Sequence, residues 1–330
     1  MHIAGYLARE PHMALGDLVR RVGIYGRALT PAEIAADFAS RRTALERGVP
    51  TPGRLHFTSG GPLLQATNGP ARLLWETDRP TSAVIEWGAG EAPDQRAELP
   101  ANASRVRAFD PPGLKPDTVY RYRVTVTDGK ETLASPLFTF RTAPPPGAPV
   151  VFAAISDTEA RPHVNAHVGN LVWRETPQFV INAGDLTDGG KAPHRAEWTH
   201  EYLPALAPLM ARVPVLPVMG NGEDDVVWYD RYHDTDGPEA SYYAWRWGDV
   251  EVFTLDSNLE VRDRTDPGFR ARQTAWLRGA LAASTARWKV ATFHHPPLPE
   301  QYAKVTEDLM PLLESAGVDL VLVGHHHSYL

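Results

Sequence analysis

Between residues 53 and 143, apolar and polar positions alternate in short runs. In VYRYRVTVTDGK, Tyr120, Tyr122, Val124 and Val126 fall on one face, and Arg121, Arg123, Thr125 and Thr127 on the other, ahead of an Asp-Gly turn. That is the period of a half-buried strand. LLWETDRPTSAVIEWG holds two more such runs around Asp78–Pro80, and several short strands at this spacing predict an all-β sandwich. The stretch APPPGAPV then reads as a semi-rigid linker over 144–149. Beyond it the pattern changes. The apolar runs VVFAAI, QFVINA, VPVLPVM, KVATF and VDLVLVG alternate with helical stretches near 163–175, 194–211, 270–283 and 305–316, and paired strands are expected around SYYAWRW and VEVFTLD. This alternation predicts an α/β layered fold with largely parallel strands over 150–330. Residues 17–38, DLVRRVGIYGRALTPAEIAADF, read as a strand and a short helix. Thr30 is its N-cap, Pro31 takes the first helical position and Glu33 closes a capping box.

The ends of the α/β strands carry the chemistry. Side-chain donors follow five of them: Asp157 after VVFAAIS, Asp185 after QFVINAG, Asn221 after VPVLPVMG, His294 after KVATF, and His325 and His327 after VDLVLVG. In such sheets ligands gather beyond the carboxyl ends of the strands. Each residue has a bland reading as a cap or turn residue; five on one edge point to a site. His325 and His327, two apart in extended backbone, are expected to face the same way and His326 away from them. Nitrogen and oxygen donors without sulfur suit Fe, Mn or Zn.

Composition removes several alternatives. The chain has 330 residues, 43% hydrophobic, and no cysteine, so disulfides and thiolate metal sites are excluded. No apolar run approaches the roughly 20 residues of a membrane helix. The start, MHIAGYLAREPHM, lacks the pattern of a signal peptide. From Ala148 onward 25 acidic and 15 basic residues give −10; the remainder gives +3, making the total of −7. An acidic C-terminal half without a Lys/Arg cluster argues against a nucleic-acid groove.

The blocks A-I-S-D, A-G-D-L, G-N-G-E, F-H-H-P-P and G-H-H-H, in that order over 150–330, resemble the calcineurin-like metallophosphoesterase superfamily, close to purple acid phosphatases. The resemblance implies a layered sandwich and a two-metal centre that hydrolyses phosphoesters with metal-bound hydroxide. Asp157 would hold the first metal and Asp185 would bridge both. Asn221, His294 and His325 would complete the second metal's shell, and His327 would return to the first. Asp185 and His294 would be the central catalytic positions, with His295 and His326 beside them as supporting residues. Trp75, the LKPDTVYRY run and F-x-F-R-T-A-P resemble the fibronectin type III-like N-terminal domain of purple acid phosphatases. G-I-Y-G-R-A-L-T-P-A-E-I resembles the tail of a LamG-like jelly roll, placing a remnant over 1–50. A carbohydrate partner through that domain, an exported or cell-surface bacterial setting, and a longer parent polypeptide are what these resemblances imply.

Three positions depart from the family pattern. Glu159 stands where D-x-H has its histidine, as a metal ligand favouring a harder ion or as a solvated loop residue. Asp188 stands at the tyrosine of purple acid phosphatases, so no iron–tyrosinate colour is expected. Gly222 replaces the histidine of G-N-H-[DE], a general acid worth about 10²–10⁴-fold. That loss implies a slower enzyme, a substrate with a good leaving group, or an acid borrowed from His163, His194 or His200, and restoring the histidine is expected to raise turnover. The alternative is a catalytically impaired metal-binding domain of a surface protein.

Overall fold

The computed structural model describes residues 27–36, 53–189, 195–223 and 227–327. Residues 31–36 are helical, and the capping box forms: Glu33 N donates to Thr30 Oγ1 at 3.3 Å and Thr30 N to Glu33 Oε2 at 2.9 Å. The strand expected before it lies outside the described residues.

Eight short strands follow: β1 (Leu63–Gln65), β2 (Arg72–Glu76), β3 (Ser82–Gly88), β4 (Gln95–Leu99), β5 (Val106–Phe109), β6 (Val119–Thr127), β7 (Thr132–Ala134) and β8 (Phe138–Arg141). They form two antiparallel sheets, β1-β2-β5 and β4-β3-β6-β7, with β8 also on β6. The alternation in β6 is realised, since Tyr120, Tyr122, Val124 and Val126 are buried in one core with Trp75, Ile85 and Phe140.

The second half is built from two sheets. Parallel β9 (Phe152–Ile155), β10 (Phe179–Asn182) and β11 (Val215–Pro217) run in the order β11-β10-β9. The second sheet holds β12 (Tyr243–Trp247), β13 (Val250–Thr254), β14 (Trp288–Thr292) and β15 (Leu320–Leu322), with only β12 antiparallel to its neighbour. Alternation places each residue of β10 in a layer. Phe179 and Ile181 meet Trp245, Trp247 and Val252 between the sheets, while Val180 faces Leu206, Leu209 and Met210 on the other side. Helices α1 (Pro162–Arg174) and α2 (Leu203–Met210) lie over the first sheet. Helix α5 (Phe269–Ala283), α6 (Met310–Ser315) and the turn before α6 pack over the second, through Leu277, Leu281, Leu313 and Leu309. Each such aliphatic side chain contributes about 1.5–3 kcal/mol when fully buried.

Two helices were not expected, α3 (Val227–Tyr232) and α4 (Leu259–Thr265), and the helices near 195 and 305 open as π-helical turns, Glu197–Tyr202 and Val305–Leu309. The sandwich is docked on the α/β half. Leu63 of β1 enters the core of α2, and Tyr122 Oη donates to the Ala211 carbonyl at 2.7 Å. Among the described residues no helix is long and apolar enough to cross a membrane.

Candidate metal centre

The carboxyl ends of β9, β10, β11, β14 and β15 lead into Asp157, Asp185, Asn221, His294 and the pair His325 and His327. Among the described residues, ligand atoms of Asp185, His294 and His325 lie within 4.8 Å of one another, and those of Asp157, Glu159 and His327 do the same. His294 Nε2 is 3.1 Å from Asp185 Oδ2 and 3.2 Å from His325 Nδ1. His327 Nε2 is 3.1 Å from Asp157 Oδ1 and 3.4 Å from Glu159 Oε1. Backbone bonds join the groups: His325 N donates to Asp157 Oδ1 at 3.0 Å, and Thr158 N to the Asp185 carbonyl at 2.8 Å.

Three of these residues sit in left-handed backbone, Asp157 at φ 55°, Asp185 at 48° and His325 at 73°. Non-glycine residues there are strained by about 1–3 kcal/mol each and concentrate at functional sites. The bend at His325 also corrects an expectation. The backbone is not extended, so His325 and His327 do not share a face; each serves a different group. His326 joins neither group.

The donor chemistry calls for cations. His294 Nδ1 lies 2.9 Å from the Ala183 carbonyl, so the ring proton belongs on Nδ1 and the Nε2 lone pair turns to Asp185 and His325. Electron-rich atoms 3.1–3.2 Å apart need positive charge between them. Burial opposes charging His294, but the Asp185 carboxylate and the Ala183 carbonyl prevail and lift the ring to about 9. The same pairing, with Gly222 N, overcomes burial at Asp185 and holds that carboxyl below its ordinary value. Burial and the charge on His294 push His325 down. Glu159 is 4% exposed, which removes its reading as a solvated loop residue. Burial, then the charges of Asp185 and Asp157, push it up to about 7, and its Oε2 has no hydrogen-bond partner among the described residues. An oxygen- and imidazole-rich cluster with a spare buried carboxylate oxygen fits Fe, Mn or Zn.

Other residues hold these in place. Glu223, fully buried, accepts from Thr187 N at 3.0 Å and Gly220 N at 2.8 Å, tying the Asp185 loop to the Asn221 loop. Burial and the charge of Asp185 push its carboxyl up to about 8. Exposed Asn221 is brought alongside by Gly222 N, which donates to Asp185 Oδ1 at 2.8 Å. Tyr302 Oη lies 2.5 Å from His325 Nε2, and buried His295 bonds Ser257 Oγ through Nδ1 at 2.8 Å. Such partners fix the orientation and basicity of ligating groups. Sequence reasoning missed Glu223 and Tyr302; for Glu223 the signal was its place in G-N-G-E.

Two of the site's close-packed glycines bear on the sequence reading. Gly184, at φ 100°, passes so close to the His294 ring that a Cβ would lie 2.4 Å from Nδ1. At Gly222 a Cβ would lie 2.2 Å from the Thr187 carbonyl oxygen, so the position has no room for the family's histidine. Of the substitute acids, His163 and His200 are exposed, the latter bonding Thr199, and His194 lies outside the described residues. Asp188 is exposed.

The calcineurin-like phosphoesterase family model matches residues 150–329. Purple acid phosphatase 15 of Arabidopsis thaliana is 24% identical over 263 residues, covering 66% of this chain and 47% of that protein. Purple acid phosphatase 23 of the same plant is 26% identical over 272 residues, covering 66% and 55%. An uncharacterized protein of Mycobacterium tuberculosis is 25% identical over 307 residues, covering 80% and 57%. The chain thus spans about half the length of the curated relatives it matches. A purple acid phosphatase from yellow lupin (Lupinus luteus) seeds shares the fold at a TM-score of 0.64 and 16% identity, over 81% of this chain and 58% of that one. PhoD does so at 0.59 and 15%, over 81% and 71%.

Proposed function

The chain belongs to the calcineurin-like phosphoesterase family, and on that premise we propose that it hydrolyses phosphoesters with a dinuclear metal centre held by Asp157, Glu159, Asp185, Asn221, His294, His325 and His327. The observation that carries this reading is the convergence of two donor groups, one on Asp185 and one on Asp157, from four separate strand ends, with Asn221 following a fifth. When bound, a pair of cations clamps phosphoryl oxygens and makes water acidic enough to supply the nucleophile near neutral pH.

The chain's own residues divide the work. Asp185, whose carbonyl accepts from Thr158 N in the Asp157–Glu159 loop, would offset the repulsion of two close positive charges, which a neutral side chain could not do. Asn221 would offer a neutral oxygen, which would leave a bound cation electrophilic. His294, anchored by the Ala183 carbonyl, keeps its Nε2 lone pair aimed inward. Glu159 adds a carboxylate beside Asp157 and His327, which favours a harder ion such as Mn. We read residues 53–143 as a fibronectin type III-like module, supported by the Tyr120 hydroxyl, which accepts from Lys115 N at 2.8 Å in the manner of a Tyr corner. A LamG-like neighbour, a carbohydrate partner and an exported setting belong to the same proposal.

The test is metal-loaded protein against chelated protein. Chain reloaded with Fe, Mn or Zn is expected to hold two ions and to hydrolyse an aryl phosphate. Asp185→Asn should lower both metal content and turnover, the latter by more than about 100-fold. Turnover that survives chelation, or that survives Asp185→Asn, would sink the proposal. One observation favours a second reading, an impaired metal-binding domain: Gly222 leaves no room for the family's acid. Two bound ions without turnover on any phosphoester would select that reading.

A further inference from the structure

A cavity of about 230 Å³ is lined by Asn221, His295 and Tyr302, and the last two touch His294 and His325 of the Asp185 group. Tyr302 and His295 form its wall, with ring centroids 4.7 Å apart, and the Tyr302 hydroxyl ties that wall to His325. Leu259 and Val305, both nearly fully buried, and Val261, 44% exposed, supply aliphatic surface. Among the residues lining it, Lys304 is the only cation, and it is held by Glu307 at 2.5 Å; the lining Glu260 is exposed. The space is smaller than the roughly 300–1,000 Å³ of drug-sized sites, and it suits one uncharged ring.

We propose, resting on the hydrolase reading above, that this cavity receives the leaving group and that the chain's substrates are aryl phosphoesters. Hydrolysis forms a P–O bond to the oxygen of water, whose proton passes to solvent. It breaks the ester P–O bond, and that electron pair departs on the ester oxygen. With position 222 closed to an imidazole by the Thr187 carbonyl, the ester oxygen leaves as an anion. A phenol gives up its proton near pKa 10, whereas an alkyl alcohol is about as weak an acid as water, near 15.7. An aryl group therefore departs without the missing proton donor, and an alkyl group does not. A phosphoanhydride would also depart as an anion, but its leaving group is itself anionic; Glu260 opposes it, and Lys304, paired with Glu307, offers it no free charge.

The test compares phenylphosphonate with methylphosphonate as unreactive ligands of the metal-loaded chain, alongside turnover of phenyl phosphate, ethyl phosphate and pyrophosphate. Phenylphosphonate is expected to bind roughly 10-fold tighter or more than the methyl compound, from the area a ring buries. Val261→Trp, which fills the cavity, and Val261→Asp, which charges it, should each shrink that ratio by about 10-fold. Phenyl phosphate should be the fastest substrate. Equal binding of the two phosphonates, a ratio indifferent to both substitutions, or faster turnover of ethyl phosphate or pyrophosphate overturns the assignment. Failure to bind either phosphonate or to turn over any phosphoester overturns the hydrolase reading and this assignment with it.

Discussion

Gly222 is where a single residue decides most. The Thr187 carbonyl occupies the space a side chain would need, and Gly222 N is committed to Asp185 Oδ1 at 2.8 Å. Gly222→His, expected from the family pattern to raise turnover, is therefore expected to push the two loops apart. It should lower stability by about 1–3 kcal/mol in denaturant unfolding and loosen metal binding, with no gain in turnover. A more active, equally stable variant would show that the loop yields. Asp157, Asp185, His294 and His325 were legible in the sequence as candidate donors because each stands at the end of an apolar run, so strand-end reasoning places it. The crowding at Gly222 was not, because it depends on Thr187, 35 positions away, and no local pattern encodes that contact. Glu223 and Tyr302 escaped for the same reason, since their partners, Thr187 and His325, are 36 and 23 positions away.

At the scale of elements, helices with a sustained period were readable and short ones were not. α1 and α5 span 13 and 15 residues, long enough to repeat an apolar stripe. α3, with six residues, completes under two turns. Its role lies instead in the aromatic layer it builds: Tyr232 stacks on Trp198 at 5.8 Å, and buried His233 just beyond the helix meets Tyr229 at 5.3 Å. Burial holds His233 down to about 3, well below its ordinary value of 6.5. The folded chain keeps this ring neutral while the unfolded chain takes up a proton below pH 6.5. Its contribution is therefore fully present above pH 6.5 and is lost as pH falls toward 3, at about 1.4 kcal/mol per pH unit. Urea unfolding of His233→Phe between pH 6 and 4 should show a slope shallower by about that amount. An identical slope in both proteins would mean that the ring charges inside the fold.

Over the whole molecule, one carboxylate joins the halves. Glu76 of β2 is fully buried, and it accepts from Thr58 Oγ1 at 2.6 Å, Arg195 at 2.7 Å, Tyr232 Oη at 2.9 Å and Arg231 at 3.1 Å. Sequence patterns separated the halves but not this junction, because Arg195 and Arg231 lie 119 and 155 positions away. Burial raises the Glu76 carboxyl, yet the hydroxyls of Thr58 and Tyr232 and the two guanidinium groups outweigh it and hold the carboxyl below its ordinary 4.5. A depressed carboxyl stabilises the fold above the unfolded value, and that contribution is lost as pH falls below about 4.5 through the folded one. Breaking a buried ion pair costs about 3–5 kcal/mol. Here Arg195 and Arg231 are 34% and 40% exposed and can turn to water, so Glu76→Gln should cost about 1–3 kcal/mol at pH 7. The loss should narrow below pH 4.5, where the native carboxyl also loses its charge. Because none of the partners of Glu76 is Asp185 or Asp157, metal content should stay at the native level while the denaturant midpoint falls. Loss of metal with an unchanged midpoint would mean instead that Glu76 acts on the centre through Arg195 rather than on the docking of the sandwich.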